Sequence, residues 1–499
     1  MHSGKKQLPL QTLSLIMGFM IWVILSSLMS FIKMDIALTD NQIALVTAVP
    51  VILGSLLRIP IGFWTNRFGS RALFTTSFIL LIIPAVYISY ANSFLDLIIG
   101  GLFIGIGGAV FSVGVTSLPK YFPKERHGFV NGIYGAGNIG TAITTFLAPV
   151  LAIKFGWQTT VQLYIILLLL FAVLNFIFGD KKEKRMKVSF SEQFRKVYDN
   201  QKLWFLSLFY FLTFGSFVAF TIYLPNFLVG HFGLDKVDAG FRTAGFIAIA
   251  TFLRPVGGWL GDKFNSFKIL ICVFAGLTVA GLLLAFTPTL TLYSIGCIVI
   301  AIGAGIGNGT IFKLVPLYFS EQAGIVNGVV SAMGGLGGFF PPLILSFLFN
   351  MTGNYSIGFM ALSQVALACL IIVVWMYHQE KLELSQNIVD HTIEGVMVTD
   401  LQGTITRVNP AFTMVTGYTM GEVIGKTPKI IQSGKHDKKF YEKMWVSIKT
   451  NGYWKGEIWN KRKNGEIYLE WLTISPVQNT AGETKYYVGM FTEIKHHKA

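Results

Sequence analysis

The sequence predicts an all-α membrane protein of twelve spanning helices, arranged as two six-helix parallel repeats and followed by a small soluble α+β domain. Three observations predict it. Of the 499 residues, 53% are hydrophobic and 13% charged, with a mean hydropathy of +0.59. Soluble domains carry about 25% charged residues, so most of this chain avoids water and a soluble globular protein is excluded. Apolar runs of about 20 residues, each enough to cross a bilayer, recur along the chain. After Tyr377 the composition turns polar and mixed.

The runs fall near 10–31, 42–65, 73–91, 94–117, 128–153, 158–179, 203–229, 237–261, 268–287, 290–318, 324–350 and 355–378. Most connections are short; the long one runs from Asp180 to Lys202. This divides the chain into a twelve-helix domain over 1–382, with repeats over 8–180 and 200–380 and a linker over 180–202, and a tail over 383–499. The first run lacks a small-residue cleavage site and reads as a retained helix. Cys272, Cys297 and Cys369 all lie in apolar runs, show no disulfide or metal-ligand spacing and read as small hydrophobes.

The net charge of +15 is mostly topological. With the N-terminus inside, the inner segments hold Lys5, Lys6, Arg67, Arg71, Lys120, Lys124, Arg126, Lys263 and Lys268, and the linker adds eight more Lys and Arg between Lys181 and Lys202. The outer loops hold only Lys33, Lys154, Lys236 and Arg242. Lys/Arg bias sets orientation, so both termini and the tail are expected in the cytoplasm, with the body in the inner (cytoplasmic) membrane and the lipid bilayer as its first partner. The same distribution removes support for nucleic-acid binding.

The halves repeat in one register. Arg58-Ile-Pro-Ile-Gly62-Phe-Trp-Thr-Asn66-Arg67 aligns with Arg254-Pro-Val-Gly-Gly258-Trp-Leu-Gly-Asp262-Lys263, and Val130-Asn131-Gly132 with Val326-Asn327-Gly328. Parallel repeats place substrate at their interface near the midplane. The loop Gly62…Asn66-Arg67-Phe-Gly69-Ser-Arg71 resembles the signature loop of the major facilitator superfamily. The resemblance makes Asn66, Arg67, Arg71, Asp262 and Lys263 gating residues. Asn66 stands where the pattern has an acid, and Asp262 keeps the acid in the second half.

Arg58 and Arg254 lie well inside spans two and eight. An arginine at the bilayer centre costs at least about 2.5–3.5 kcal/mol. The repeat gives the two equivalent depths, facing across a central cavity; the alternative is a pair that snorkels or bonds helix carbonyls. A guanidinium is planar, permanently charged and presents its donors as a fork. Two opposed forks suit a small oxyanion such as planar nitrate, and no Asp or Glu lies at comparable depth. Lys313 in span ten is a third candidate cation, or a lysine reaching solvent or a carbonyl. An empty site with two poorly compensated charges favours anion exchange over movement of the bare carrier.

Glycines crowd spans five and eleven, among them Gly135, Gly137, Gly140, Gly334, Gly335 and Gly337. Small residues let membrane helices approach closely, either as sliding surfaces between halves or as static packing. The tracts Gly-Ile-Tyr-Gly135-Ala-Gly-Asn138-Ile-Gly140 and Ser331-Ala-Met-Gly334-Gly-Leu-Gly337-Gly resemble the two nitrate signatures of the nitrate/nitrite porters. The resemblance implies that Arg58 and Arg254 hold nitrate or nitrite, that Asn138 hydrogen-bonds it, and that Phe111 and Tyr210 line the site. That family includes proton symporters and nitrate/nitrite exchangers, and the short loops here resemble the symporter branch. No nucleophile–base constellation or metal cluster appears in the spans, so an enzyme is not expected. The competing readings are a carrier of another small anion, such as formate or oxalate, and a non-transporting anion receptor.

In the tail, alternating runs at Gly395-Val-Met-Val-Thr, Gly403-Thr-Ile-Thr-Arg-Val and Ile467-Tyr-Leu-Glu-Trp-Leu-Thr-Ile read as strands, separated by Asp400-Leu-Gln-Gly403, Asn464-Gly465 and Asn479-Thr-Ala-Gly482 turns. The residues from His378 to Gln386 suit a helical extension of span twelve. Val408-Asn409-Pro410-Ala411-Phe412, Thr416-Gly417-Tyr418 and Trp454-Lys-Gly456-Glu-Ile-Trp459-Asn460 resemble a PAS domain. Trp454 and Asn460 resemble residues of PAS domains that bind FAD; the other reading is a cofactor-free module for dimerisation or docking of a signalling partner.

Overall fold

In lipid every backbone N–H and C=O must be satisfied within the protein, and the apolar runs meet this demand as helices. The structure, a computed structural model, describes residues 2–186, 189–286, 289–479 and 482–494. It separates into two compact units, Met1–Met376 and Tyr377–Ala499.

Among the described residues eleven helices are long and apolar enough to cross a membrane, and a bent pair makes a twelfth span. In chain order the spans are Gly4–Asp35, Asn41–Leu56 with Arg58–Phe68, Ser70–Ser89, Phe94–Tyr121, Lys124–Phe155, Trp157–Phe178, Gln201–Pro225, Asp238–Lys263, Ser266–Ala285, Leu290–Tyr318, Ala323–Pro341 and Ser356–Asp390. The last helix carries the expected extension through His378–Gln386. Span two bends by 41° immediately before Arg58. Pro60 accounts for the break: it has no N–H for the Leu56 carbonyl, and its ring crowds that group. Span five carries a short 3-10 turn, Ala136–Asn138, in mid-helix.

The halves meet in a crossed pair of contacts that repeats the sequence symmetry. The start of span five lies on the end of span eight, and the start of span eleven on the end of span two. A Cβ on Gly132 would come within 2.7 Å of the Arg254 carbonyl oxygen, and a Cβ on Gly328 within 2.7 Å of the Arg58 carbonyl oxygen. Gly128 meets Gly258, and Gly324 meets Gly62, in the same manner. Only glycine permits backbones this close. Asn131 donates to the Phe312 carbonyl of span ten at 3.2 Å and Asn327 to the Val115 carbonyl of span four at 3.0 Å, further ties between the halves.

The second unit has a five-stranded antiparallel sheet of order β2-β1-β5-β4-β3, with β1 Gly395–Thr399, β2 Ile405–Val408, β3 Trp454–Lys461, β4 Ile467–Gln478 and β5 Thr484–Glu493. Helices Pro410–Thr416 and Lys438–Asn451 accompany it. Phe412, Ile458, Leu472 and Phe491 centre its core. Asn409 fixes the entry to the first helix: its Oδ1 accepts from Phe412 N at 2.9 Å and Val396 N at 2.8 Å. Gly403 and Gly465, at the expected turns, have φ of +79° and +91°, where glycine avoids the Cβ penalty. Thr480 and Ala481 of the third expected turn lie outside the described residues, as do Lys187 of the linker and Thr287 at the end of the ninth predicted run.

Candidate functional site

The bend at Pro60 and the span-eight crossing deliver both arginines to one chamber. Arg58 and Arg254 are the two largest fully buried side chains, 0% and 1% exposed. The Arg58 guanidinium lies 5.4 Å from the centres of both the Phe111 and Phe214 rings. The Arg254 guanidinium lies 5.0 Å and 5.8 Å from the same two rings. Two like charges thus share one aromatic cage, completed by Trp22 beside Arg58 and by Tyr210 and Phe312 beside Arg254. Ring faces attract cations, so the cage holds the guanidiniums without neutralising them.

The polar contacts orient the forks but do not exhaust them. Arg58 donates through Nε to the Gly108 carbonyl at 3.1 Å and through Nη1 to the Ser331 carbonyl at 2.7 Å. Arg254 donates through Nη2 to the Tyr210 hydroxyl at 2.9 Å. With its amide turned so that both ends are satisfied, Asn138 accepts from Arg254 Nη1 at 3.0 Å and donates to the Gly135 carbonyl at 3.3 Å. Arg58 Nη2 and Arg254 Nε have no hydrogen-bond partner among the described residues. Neither arginine has a carboxylate partner among them. A buried donor left unpaired costs about 1–3 kcal/mol, more when charged. An anion accepting from both forks relieves that cost and the mutual repulsion together.

Arg58, Arg254, Asn138, Phe111 and Tyr210 therefore come together, and the carbonyl bonds expected under the alternative reading of the arginines are present as supports for Arg58. Trp22, Phe214, Phe312 and Ser331 belong to the same chamber and were not legible: aromatics and serines are common in membrane helices, and only the fold selects these. Ser331 also bridges halves, its hydroxyl 3.0 Å from that of Ser112.

Lys313 does not join the chamber, which corrects that expectation. Its ammonium bonds Asp262 at 2.8 Å and the Lys124 carbonyl at 2.5 Å. Asp262 also accepts from the Gly128 and Phe129 amides at 2.9 Å and 2.7 Å. One carboxylate of span eight thus caps the span-five helix of the opposite half and anchors span ten, a latch on the side carrying the basic loops. The other gating candidates behave differently. Asn66 packs its amide against Gly324 of span eleven, while its carbonyl accepts from Met186 N at 2.9 Å. Arg67 and Lys263 lie over aromatic rings, and Arg71 donates to the Phe176 carbonyl at 2.8 Å. None of these three cations has an ion-pair partner among the described residues; in the first half the acid that the pattern would supply stands as Asn66. Glu183, unremarkable among the lysines of the linker, stands in nearby. It is buried, accepts from Ser70 N and Oγ at 2.7 Å each, and pairs with Lys120 at 2.9 Å.

The signature glycines serve several contacts. Gly135 makes room for the Arg254 side chain and Gly335 for Ser55 beside Arg58, both across the halves. Gly137 and Gly140 pack on Leu15 and Ile16, Gly334 on Tyr210 and Gly337 on Phe211, each within its own half. These four pack within a half; the closest backbone approach between halves belongs to Gly62, Gly128, Gly132, Gly258, Gly324 and Gly328.

A family model described as Major Facilitator Superfamily matches residues 12–342. The chain belongs to that superfamily. It is accordingly a multi-pass membrane transporter and not an enzyme. A PAS domain model matches residues 393–496, so this superfamily member carries a C-terminal PAS domain. It is 66% identical over 377 residues to the nitrite extrusion protein of Bacillus subtilis (strain 168), covering 76% of this chain and 95% of that one. It is 52% identical over 381 residues to the probable nitrate transporter NarT of Staphylococcus epidermidis, covering 76% and 98%. The crystal structure of the human organic anion transporter MFSD10 (TETRAN) superposes with a TM-score of 0.63 at 14% identity, covering 74% of this chain and 99% of that one, and shares the fold.

In the PAS domain, Trp454 and Asn460 lie on the same, inward face of β3. Trp454 packs edge-on to Phe440, ring centres 5.8 Å apart, and lies over Gly456. Asn460 is buried and donates to Glu470 Oε1 at 2.8 Å. The amide thus faces Glu470 and the aromatic faces Phe440. Burial pushes the Glu470 carboxyl up to about 7, against the neighbouring Tyr468, the Asn460 hydrogen bond and the nearby Arg462, which lower it.

Proposed function

We propose that this superfamily member carries nitrate and nitrite by alternating access, and that it works as an anion exchanger. The observation that carries the reading is the pair of unpartnered donors, Arg58 Nη2 and Arg254 Nε, in one sealed aromatic chamber. Nitrate and nitrite offer several acceptor oxygens in a plane, matching guanidinium forks. The names of the two relatives, a nitrite extrusion protein and a probable nitrate transporter, support the same cargo. Exchange follows from electrostatics. The bare chamber holds two buried like charges, and the groups touching them are aromatics, hydroxyls, carbonyls and one amide. No carboxylate or imidazole stands among those groups to take a proton, as nitrate–proton symport would require. An anion in the chamber at each crossing keeps the charge compensated in both directions.

The carrier sits in the cytoplasmic membrane with both termini and the PAS domain inside, as the Lys/Arg bias favours. The latch at Asp262 then closes the cytoplasmic side. The PAS domain acts without flavin, as a docking or dimerisation module that adjusts the carrier or reports its traffic to a partner.

The test is uptake of labelled nitrate by the full chain in liposomes. Internal nitrite is expected to accelerate uptake severalfold, whereas an imposed pH gradient alone leaves it unchanged; the reverse pattern would establish symport. Removing residues 383–499 is expected to leave exchange intact in liposomes while altering uptake in cells. Unchanged uptake in both settings removes the regulatory role.

A further inference from the structure

Beside the Asp262 latch, a groove of about 550 Å³ opens between the halves, lined by Glu125, Arg126 and Phe129 of span five and by Trp259, Asp262 and Lys263 of span eight. We propose that it binds the headgroup of an anionic phospholipid of the phosphatidylglycerol type, which clamps the two halves together on the cytoplasmic side.

Three features point to this occupant. The first is charge. Asp262 is already compensated by Lys313 and two backbone amides. Arg126 and Lys263 are exposed and have no ion-pair partner among the described residues. Together with Glu125 they leave one net positive charge, which one phosphodiester balances. Glu125 on the rim is an acceptor for headgroup hydroxyls, which suits a glycerol headgroup and not a bare phosphate.

The second feature is position. Phe252, Val256 and Trp259 recur one helical turn apart on span eight and are 65%, 40% and 45% exposed. An exposed apolar ridge on a spanning helix faces lipid chains, and it leads directly to the groove. Trp259 closes the ridge with Lys263 over its ring at 5.2 Å. A tryptophan beside a basic residue at a helix end marks the headgroup level of a bilayer. The third is division of labour: Arg126 belongs to the first half and Lys263 to the second, so one phosphate holding both spans the moving interface. A ligand that binds one conformation better shifts the population toward it, so the lipid favours the latched state.

The test is titration of the detergent-solubilised full chain with phosphatidylglycerol, read as lipid-bound species by native mass spectrometry, with phosphatidylcholine and inorganic phosphate as separate arms. A basic residue near an anionic surface contributes about a factor of five, so the double variant Arg126→Gln/Lys263→Gln is expected to bind phosphatidylglycerol about thirtyfold more weakly. The charge-keeping double variant Arg126→Lys/Lys263→Arg is expected to bind within a few-fold of the original chain, which separates lost charge from misfolding. Equal binding of phosphatidylcholine, displacement of the lipid by millimolar inorganic phosphate, or undiminished binding by the glutamine variant would each overturn the proposal. Because the readout is lipid retention and not flux, its failure leaves the exchange reading untouched.

Discussion

Arg58 and Arg254 were legible as a pair because an arginine at lipid depth is costly enough to demand a reason, and the repeat supplied two at matched depth. Lys313 misled for the complementary reason. Its partner, Asp262, lies on another helix at the same level, and linear spacing does not reveal that span ten and span eight present those two groups to each other. Glu183 was invisible because nothing local distinguishes a buried acid in a polar linker from a solvated one. In the PAS domain, Asn460 was read as a ligand donor, yet its amide faces Glu470 on the neighbouring strand. That carboxyl carries a prediction. Its folded value of about 7 lies above the ordinary glutamate value of about 4.3, so its protonated form is favoured in the fold. The contribution is fully present below the unfolded value of about 4.3 and is lost as pH rises to about 7, by roughly 3 kcal/mol in all. Opening free energies from hydrogen exchange at β3 and β4 of the full chain are expected to fall across that window. In Glu470→Gln the fall is expected to disappear; an unchanged pH profile would show that Glu470 is ionised throughout.

Among the elements, the spans were legible almost throughout, since runs of about 20 apolar residues leave a membrane helix little freedom. Their irregularities were less so. The run 42–65 reads as one straight span, and the bend at Pro60 and the direction in which it aims Arg58 depend on packing against spans four and eleven. The glycine tracts in spans five and eleven announced close contact without naming the neighbour. The structure divides them into packing within a half, as at Gly140 against Ile16, and crossings between halves, as at Gly132 against the Arg254 carbonyl. The crossings are where a methyl group does most harm. In Gly258→Ala the new Cβ meets the Gly128 carbonyl, which is backbone and cannot rotate away. Overpacking of this kind costs about 1–3 kcal/mol, here charged against the latched state alone. Exchange in liposomes is expected to fall about tenfold while the protein remains folded by size-exclusion chromatography. Gly245→Ala, with open space around its Cβ, is expected to transport normally; equal loss in both variants would argue that helix flexibility and not the crossing is at stake.

For the molecule as a whole, the two-fold relation between halves gives the proposed anion site its two arginines. Each half contributes a fork from the same position of its own repeat, each fork is backed by a glycine of the opposite half, and the chamber is complete only when the halves are together. In the proposed exchange, alternating access consists of rocking about these crossings with the anion between the two charges and the Asp262 latch at one end. That architecture was readable from the repeat register, whereas the partition of basic groups between chamber, latch and lipid-facing groove required three dimensions. The most direct measurement of the central claim is nitrate binding and exchange by the full chain carrying Arg58→Lys or Arg254→Lys. Lysine keeps the charge but cannot present the fork, and loss of about two charged hydrogen bonds predicts at least about a hundredfold weaker nitrate binding with exchange near background. Near-normal nitrate binding and exchange in both variants would contradict the account.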